Sequence, residues 1–428
     1  MPDDPPADTR LADNPMSDAC SVLYIDYRPR SVAALAAHGA AVTCVVNAKD
    51  AATVRKHPAV DRVVVVRDTT DCEDVLCALR RDGVSLTDYT AICGNDEYTL
   101  YSASVVAMVA GKSTPSPNHV VSMRDKFVQK DLVRRAGIPV TQCRAVDHLD
   151  DLSAAPPRFP AVIKPPAVSG AKDTFLLRSP ADLEQVAKQC AESGVLGPWV
   201  VEDFVPGGEI QVDGAIRNGE LVLLSISRYL QNCIKIHEGD LAAAVVLDPD
   251  VEPALYAQAR DLAARALPAL GHRDGVFHLE AFEHPDGHLV FSECGGRVGG
   301  GMTDEVVLRK FGVSIHDEWA RIVLGLPTGV TTPVVPDPAS FGDVHLKAPP
   351  GLLLSVPSTE ELRAQSGVVF GEVEVQVGEQ LGNMNDDSFF RAARAVVTGE
   401  DELETRALLR DLGNWFSSAV RVDTSANG

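Results

Sequence analysis

The chain has 428 residues, 45% hydrophobic and 23% charged, a length that allows two to four subdomains with cores large enough to need no disulfides. Its formal net charge of −21 leaves no basic surplus to neutralise a nucleic-acid backbone, although a few local lysines and arginines can still hold a nucleotide polyphosphate. Nine cysteines, an odd number without C-x-x-C spacing, argue against a zinc or disulfide framework and fit buried reduced thiols in a cytoplasmic protein.

In chain order, residues 1–20 are acidic and proline-rich without an apolar run, which predicts a disordered tail rather than a signal peptide. No apolar stretch approaches the roughly 20 residues of a membrane span. From Val22 the segments VLYIDY, AVTCVV, RVVVV and YTAICG read as buried strands. Helical patterns at SVAALAAHGA and Asp71 to Arg81 lie between them, so residues 21–117 are expected to form a parallel α/β domain. A helix is expected to start at Asn95, with Asn95, Asp96 and Glu97 either capping it or facing a ligand at the strand ends. After the linker STPSPN, VSMRDKFVQKDLVRRAG reads as one helix ending at Gly137, and AVIKP as a strand. A second unit is expected over 118–200, a third with paired hairpins over 201–330, and a strand-rich α+β segment over 331–428.

Two familiar-looking motifs fail. Gly111-Lys112-Ser113 lacks the glycine a phosphate loop needs, because Val106 holds its place. The cluster Gly295, Gly296, Gly299, Gly300 and Gly301 does not fit G-x-G-x-x-G and lies far from the first βα units.

The strongest local signal is the hairpin GVFHLEAF–EHPDG–HLVFSE. Pairing His284 with Gly287 would set Glu280 opposite Phe291 and His278 opposite Glu293. His278, Glu280 and Glu293 would share one face, the two glutamates as diagonal neighbours about 7–8 Å apart along the backbone. Such a carboxylate pair suits Mg²⁺, which bridges to nucleotide phosphates; two solvated glutamates are the alternative reading. Lys164 closes AVIKP beside the polar turn SGAKDT (169–174), and WVVEDFVPGGEIQVDG reads as strand, kink and strand.

Taken in order, Lys126 in MRDKFVQKD, AVIKP, SGAKDT, VVEDFVPGGE, HLE and SECGGR resemble the ATP-grasp superfamily, particularly its amino-acid and peptide ligases. The resemblance spans roughly residues 20 to 420. It implies an α/β ATP-grasp fold with an N-terminal parallel-sheet domain and a strand-rich C-terminal subdomain. It implies that Lys126 and Lys164 hold the phosphates of ATP under a loop that includes Ser169 and Gly170. Glu202, Asp203, Phe204 and Val205 would face adenine, Glu209 the ribose, and Glu280 and Glu293 would bind Mg²⁺ or Mn²⁺. Arg297 would stabilise the transferred phosphoryl group, and Gly299 and Gly300 would let backbone approach the substrate. Where the superfamily usually has a third metal ligand, asparagine, this chain has Gly295.

The implied reaction is ATP-dependent joining of a small carboxylate to an amino-acid amine through an acyl phosphate. His278 would steer the amine or accept its proton, unless it is a structural histidine of the hairpin. Arg228 or Tyr229 would clamp a substrate carboxylate. A carrier protein as acceptor, a homodimer, and a regulator that binds nucleotide without turnover are further expectations to weigh.

Overall fold

The computed structural model describes residues 20–112, 115–385 and 390–424; the tail 1–19 and part of the 113–118 linker lie outside the described residues. Strands β1 (Ser21–Ile25), β2 (Ala41–Asn47), β3 (Arg62–Val66) and β4 (Ala91–Cys93) form a parallel sheet in the order β3-β2-β1-β4. Their Val, Ile and Cys side chains are largely buried on both faces, as a helix-covered parallel sheet requires. Helix Cys72–Arg81 is capped by Asp71, whose carboxylate accepts from the N–H groups of Glu73 and Asp74.

Two helix boundaries differ from expectation. The helix expected at Asn95 begins at Leu100. The preceding polar residues are held elsewhere: Asn95 by Ser31 and the Val298 N–H, Asp96 by Arg28, and Glu97 by Arg297. The single helix expected from Val121 to Gly137 is split into Pro117–Ser122 and Lys126–Arg135. Asp125 leaves helical geometry, and its carboxylate caps the N–H groups of Phe127 and Val128. The second helix then carries Lys126 and Lys130 one turn apart on one face.

Strands β5 (Cys143–Val146), β6 (Ala161–Lys164), β7 (Phe175–Leu177) and β8 (Trp199–Asp203) make a four-stranded antiparallel sheet, β5-β8-β6-β7. The next strands are β9 (Gly208–Arg217), β10 (Glu220–Tyr229), β11 (Ala242–Val246), β12 (Gly275–Glu283) and β13 (Leu289–Gly295). After them come β14 (Ser340–Leu346), β15 (Gly351–Ser355), β16 (Val368–Val373), β17 (Gln380–Leu381), β18 (Ala393–Gly399) and β19 (Arg421–Asp423). Eight of these form one sheet, β13-β12-β9-β10-β11-β14-β18-β16, so strands from both sides of residue 330 share it. The other three pair as β17-β15-β19. Asn218 (φ 51) and Gly219 (φ 84) reverse the chain between β9 and β10, the positive dihedrals a two-residue hairpin turn needs. No helix among the described residues is long and apolar enough to cross a membrane.

Helix Pro253–Ala269 packs Leu255, Leu262 and Leu267 into the core beneath the large sheet. Just beyond it the buried His272 ring stacks on His119, with centroids 5.1 Å apart, and its Nε2 lies 3.1 Å from the Val276 carbonyl. Burial, with His119 alongside, holds its pKa down at about 3. The folded protein therefore keeps His272 neutral while the unfolded chain protonates it below its ordinary value. Its contribution is present near pH 7 and drains as pH falls from 6.5 toward 3. By pH 5 this loss should reach about 2 kcal/mol. Denaturant midpoints of wild type and His272→Gln should therefore converge as pH is lowered from 7 to 5; parallel pH profiles would contradict it.

Candidate active site

Strand register gathers the polar residues onto one face of the large sheet. Glu209, Gln211 and Asp213 alternate along β9, opposite Phe282, Glu280 and His278 of β12. On β10 the alternation brings Tyr229 to the same face and sends Arg228 to the other. Ala244 lies opposite Tyr229, and Asp343 and His345 of β14 lie opposite Ala244 and Ala242. The four-stranded sheet and its loops stand over this face, and a cavity runs between them.

The β12–β13 hairpin brings its two glutamates closer than the sequence suggested. His284 pairs with His288 rather than Gly287, so the turn holds one residue more. A β-bulge at Ser292 then shifts the ladder once again. Glu280 therefore sits directly opposite Glu293, and His278 opposite Gly295. The bulge is tied down by Lys130, whose Nζ donates to the Ser292 carbonyl at 2.7 Å.

Three lysines meet two carboxylates at the cavity wall. Glu202 lies 2.7 Å from Lys130 and 2.6 Å from Lys164, and all three side chains are at least nine-tenths buried. Its carboxylate is turned to these lysines. Burial alone would raise the pKa of Glu202, but the two ammonium groups hold it well below the usual carboxylate range. Burial likewise disfavours the charge on Lys164, yet Glu202 and Glu293 raise its pKa above the ordinary lysine value. Glu293 lies 3.4 Å from Lys126 and 3.5 Å from Lys164. Lys126 also donates to the Val168 carbonyl at 2.5 Å, holding the 169–174 turn, of which Ser169, Gly170 and Ala171 line the cavity.

At the same end, Asp203, Phe204 and Val205 line the cavity together with Glu209. Glu209 accepts from the Cys233 N–H at 2.6 Å, and burial beside Glu280 pushes its pKa up to about 8. Glu209, Cys233 and Glu280 bring potential ligand atoms within 4.8 Å of one another.

His278 differs from the near-neutral base expected for it. Burial opposes its charge, but Asp213 at 2.8 Å and Glu280 at 3.4 Å raise its pKa to about 10. It is an imidazolium clamped between two acids and has no free site for a proton. Tyr229 also reaches Glu280, at 3.1 Å, and Gln211 at 2.8 Å.

Arg297 lines the cavity, with its Nε donating to Glu97 at 2.7 Å. Burial opposes its charge, and Glu97 raises its pKa above the ordinary arginine value. This pair lies close to the glycine at 295. A Cβ there would lie 3.1 Å from a Glu97 carboxylate oxygen and 3.4 Å from the Arg297 side chain. Beyond Arg297, a Cβ on Gly299 would fall 2.6 Å from Asp213 and 3.0 Å from His278, so only glycine fits without displacing them. Gly300 lines the cavity; Gly299 is not among its lining residues.

Arg228 is the clear correction. It faces away from the cavity and binds Glu283 at 2.8 Å, with Glu252 and Glu402 at 3.3 and 3.4 Å. With three carboxylates around it on the opposite face of β10, it is not placed to clamp a substrate. Lys130, Gln211, Asp213, Cys233, Asp343 and His345 were not singled out from the sequence. The i,i+4 spacing from Lys126 signals Lys130, and the two-residue alternation after Glu209 signals Gln211 and Asp213.

No protein-family model matches the chain. Among curated proteins it is similar to the L-arginine-specific L-amino acid ligase of Bacillus subtilis, 25% identical over 82% of this chain and 84% of the relative. Among solved structures it is similar to an L-amino acid ligase from Bacillus licheniformis, with TM-score 0.79 at 17% identity, covering 95% of this chain and 99% of that one. A biotin carboxylase from Campylobacter jejuni, solved as a beta-gamma-ATP complex, gives TM-score 0.65 at 16% identity over 94% and 92% of the two chains.

Proposed function

We propose that the chain is an ATP-grasp carboxylate–amine ligase that condenses two amino acids, or an amino acid with a small carboxylate, through an acyl phosphate. The observation that carries this reading is the convergence of Lys126 and Lys164 on Glu293, with Glu280 directly across the ladder and Arg297 on the same cavity. A relative that ligates amino acids over most of its length supports the substrate class. It also disfavours both a carrier-protein acceptor and a regulator without turnover.

The reaction has two displacements. A carboxylate oxygen attacks the γ-phosphorus of ATP, forming an O–P bond as the bond to the ADP oxygen breaks. The neutral amine nitrogen then attacks the activated carbonyl carbon, phosphate leaves with the carboxylate oxygen, and the proton lost by the nitrogen passes to the departing phosphate. The first step is governed by alignment and charge neutralisation. Lys126 and Lys164 supply positive charge at the phosphate end, and Arg297, oriented by Glu97, supplies it where the phosphoryl group meets the carboxylate. The 169–174 turn covers the phosphates and limits access of water to the acyl phosphate. Phe204 and the Val205 backbone receive the base, and Glu209 the ribose hydroxyls.

The donor set fits a hard divalent cation: two glutamate carboxylates face each other on neighbouring strands, with the Glu209 carboxylate close to Glu280. Mg²⁺ held by Glu280 and Glu293 would neutralise phosphate charge and orient the γ-phosphoryl group. His278 and Tyr229 position Glu280 for this task through their hydrogen bonds.

Phosphate release from ATP, measured with the twenty amino acids singly and in pairs, tests the proposal. Release that needs a particular pair, with the condensed amide found by mass spectrometry, is the expected result. Release that needs neither carboxylate nor amine would contradict it. Arg297→Met should lower pair-dependent release by about 10²–10³-fold, and an undiminished rate would remove Arg297 from the assignment.

A further inference from the structure

The cavity continues past Arg297 to a second polar group that the phosphoryl-transfer chemistry does not use. Asp343 is 9% exposed and lines the cavity, with its Oδ2 accepting from the Met302 N–H at 3.1 Å. Among the described residues it has no cationic partner. Arg394, across the ladder from the adjacent His345, is directed to Glu372 and Glu374 at 3.0 and 2.7 Å. A buried carboxylate left without a cation is costly, and a second acid nearby makes it more so. Burial, with Asp213 adding to it, accordingly raises the pKa of Asp343 to about 6.

His345 lies two residues along the same face. Its Nδ1 is shielded from solvent and has no hydrogen-bond partner among the described residues. Burial and the neighbouring Arg391 and Arg394 keep the ring neutral, with a pKa of about 3; Nδ1 being enclosed, the nitrogen available to accept from a ligand is Nε2, on the Gly301 side. The surrounding positions are small. Ala244 and Ala242 lie opposite Asp343 and His345 and offer only methyl groups. A Cβ on Gly301, at φ +61, would fall 2.7 Å from Asp343 Oδ2 and 3.0 Å from His345 Nε2. Ile234 and Ile236 add apolar wall.

We infer that Asp343 and His345 form the subsite that receives the cationic nitrogen of the amine substrate. Asp343 Oδ2 and His345 Nε2, packed side by side against Gly301, present two hydrogen-bond acceptors, one of them a carboxylate, on the cavity that both residues line. That chemistry selects a nitrogen rich in N–H donors and rejects a carboxylate, which Asp213 and Asp343 would both repel. The inference rests on the ligase reading and extends it, because the subsite lies on the same cavity as Arg297. The cation is either the α-ammonium group of the amino acid that attacks or an ammonium group on its side chain.

Amine saturation curves for wild type, Asp343→Asn and His345→Gln, with alanine and with lysine as the amine, test the subsite. Hydroxamate formation is followed in parallel with hydroxylamine, a nucleophile largely uncharged at neutral pH that traps the activated carboxylate. In Asp343→Asn the ratio of amide to hydroxamate should fall about tenfold or more, through a raised KM for the amine; His345→Gln should move the ratio the same way. A loss with both amines assigns the α-ammonium group to the subsite, and a loss confined to lysine assigns the side-chain ammonium. If Asp343→Asn fails to fold, the His345→Gln ratio decides. Wild-type hydroxamate formation combined with an unchanged amine KM in the folded variants would overturn the subsite alone. A wild type that forms no hydroxamate with any carboxylate would overturn the ligase reading, and the subsite with it.

Discussion

Alanine at Glu293 is expected to lower carboxylate-dependent phosphate release by about 10²–10³-fold and to leave the melting temperature within a few degrees of wild type. The side chain is 26% exposed, so its truncation opens no buried cavity. What is lost is the carboxylate that faces Glu280 across the ladder and lies within 3.5 Å of both Lys126 and Lys164. On the proposed assignment a bound Mg²⁺ would lose one of its two glutamate ligands, and Gly295 could not replace it. The two lysines also lose an anion that fixes their reach. A phosphate-release assay and a thermal melt on the same preparation check both halves. Undiminished turnover in a folded variant would mean that the metal is held elsewhere.

The largest effect on stability is expected at Glu202. Replacing it by leucine leaves the fully buried Lys130 ammonium without its ion-pair partner and Lys164 with only Glu293 at 3.5 Å, at a cost of about 3–5 kcal/mol. The second substitution Lys130→Met, made in that background, should recover much of the loss because it removes one stranded charge. The pH dependence follows from the depressed pKa of Glu202. Its stabilisation is complete above the ordinary glutamate value of 4.5 and is lost as pH falls below it, where the unfolded chain binds the proton first. Denaturant midpoints at pH 7 and at pH 4 should therefore lie further apart in wild type than in Glu202→Leu. A single variant less than about 1 kcal/mol destabilised would show that the three charges are solvated rather than mutually dependent.

Much of the fold was legible because hydrophobic period and turn chemistry act locally. The runs VLYIDY, AVTCVV and RVVVV have the composition of strands buried on both faces, and they form the parallel sheet. Asn218-Gly219 and the His284–Gly287 turn likewise mark real hairpins. Register was less legible. One extra turn residue and the bulge at Ser292 each shift the β12–β13 ladder by one, and together they turn a diagonal pair of glutamates into a facing pair. The bulge is held by Lys130, which comes from a helix more than 150 residues earlier, so local sequence carries no sign of it.

The helix break at Asp125 has the same character. The segment's periodicity suits one helix, but an aspartate cap and the Pro166 carbonyl, which accepts from the Lys126 N–H, favour a restart. Arg228 was legible as a polar residue ending a strand but not by face. Its partners Glu252, Glu283 and Glu402 come from three separate places in the chain. His278 was legible as a neighbour of Glu280, whereas its charge depends on Asp213 of the next strand.

The most direct test of the acyl-phosphate route is the fate of the carboxylate oxygen. The carboxylate substrate would be labelled with ¹⁸O in both oxygens, condensed with its amine partner and ATP, and the released phosphate examined by mass spectrometry. Activation by phosphoryl transfer predicts one ¹⁸O atom in each phosphate, because the oxygen that attacked phosphorus leaves with it. Unlabelled phosphate accompanying labelled amide would contradict the account.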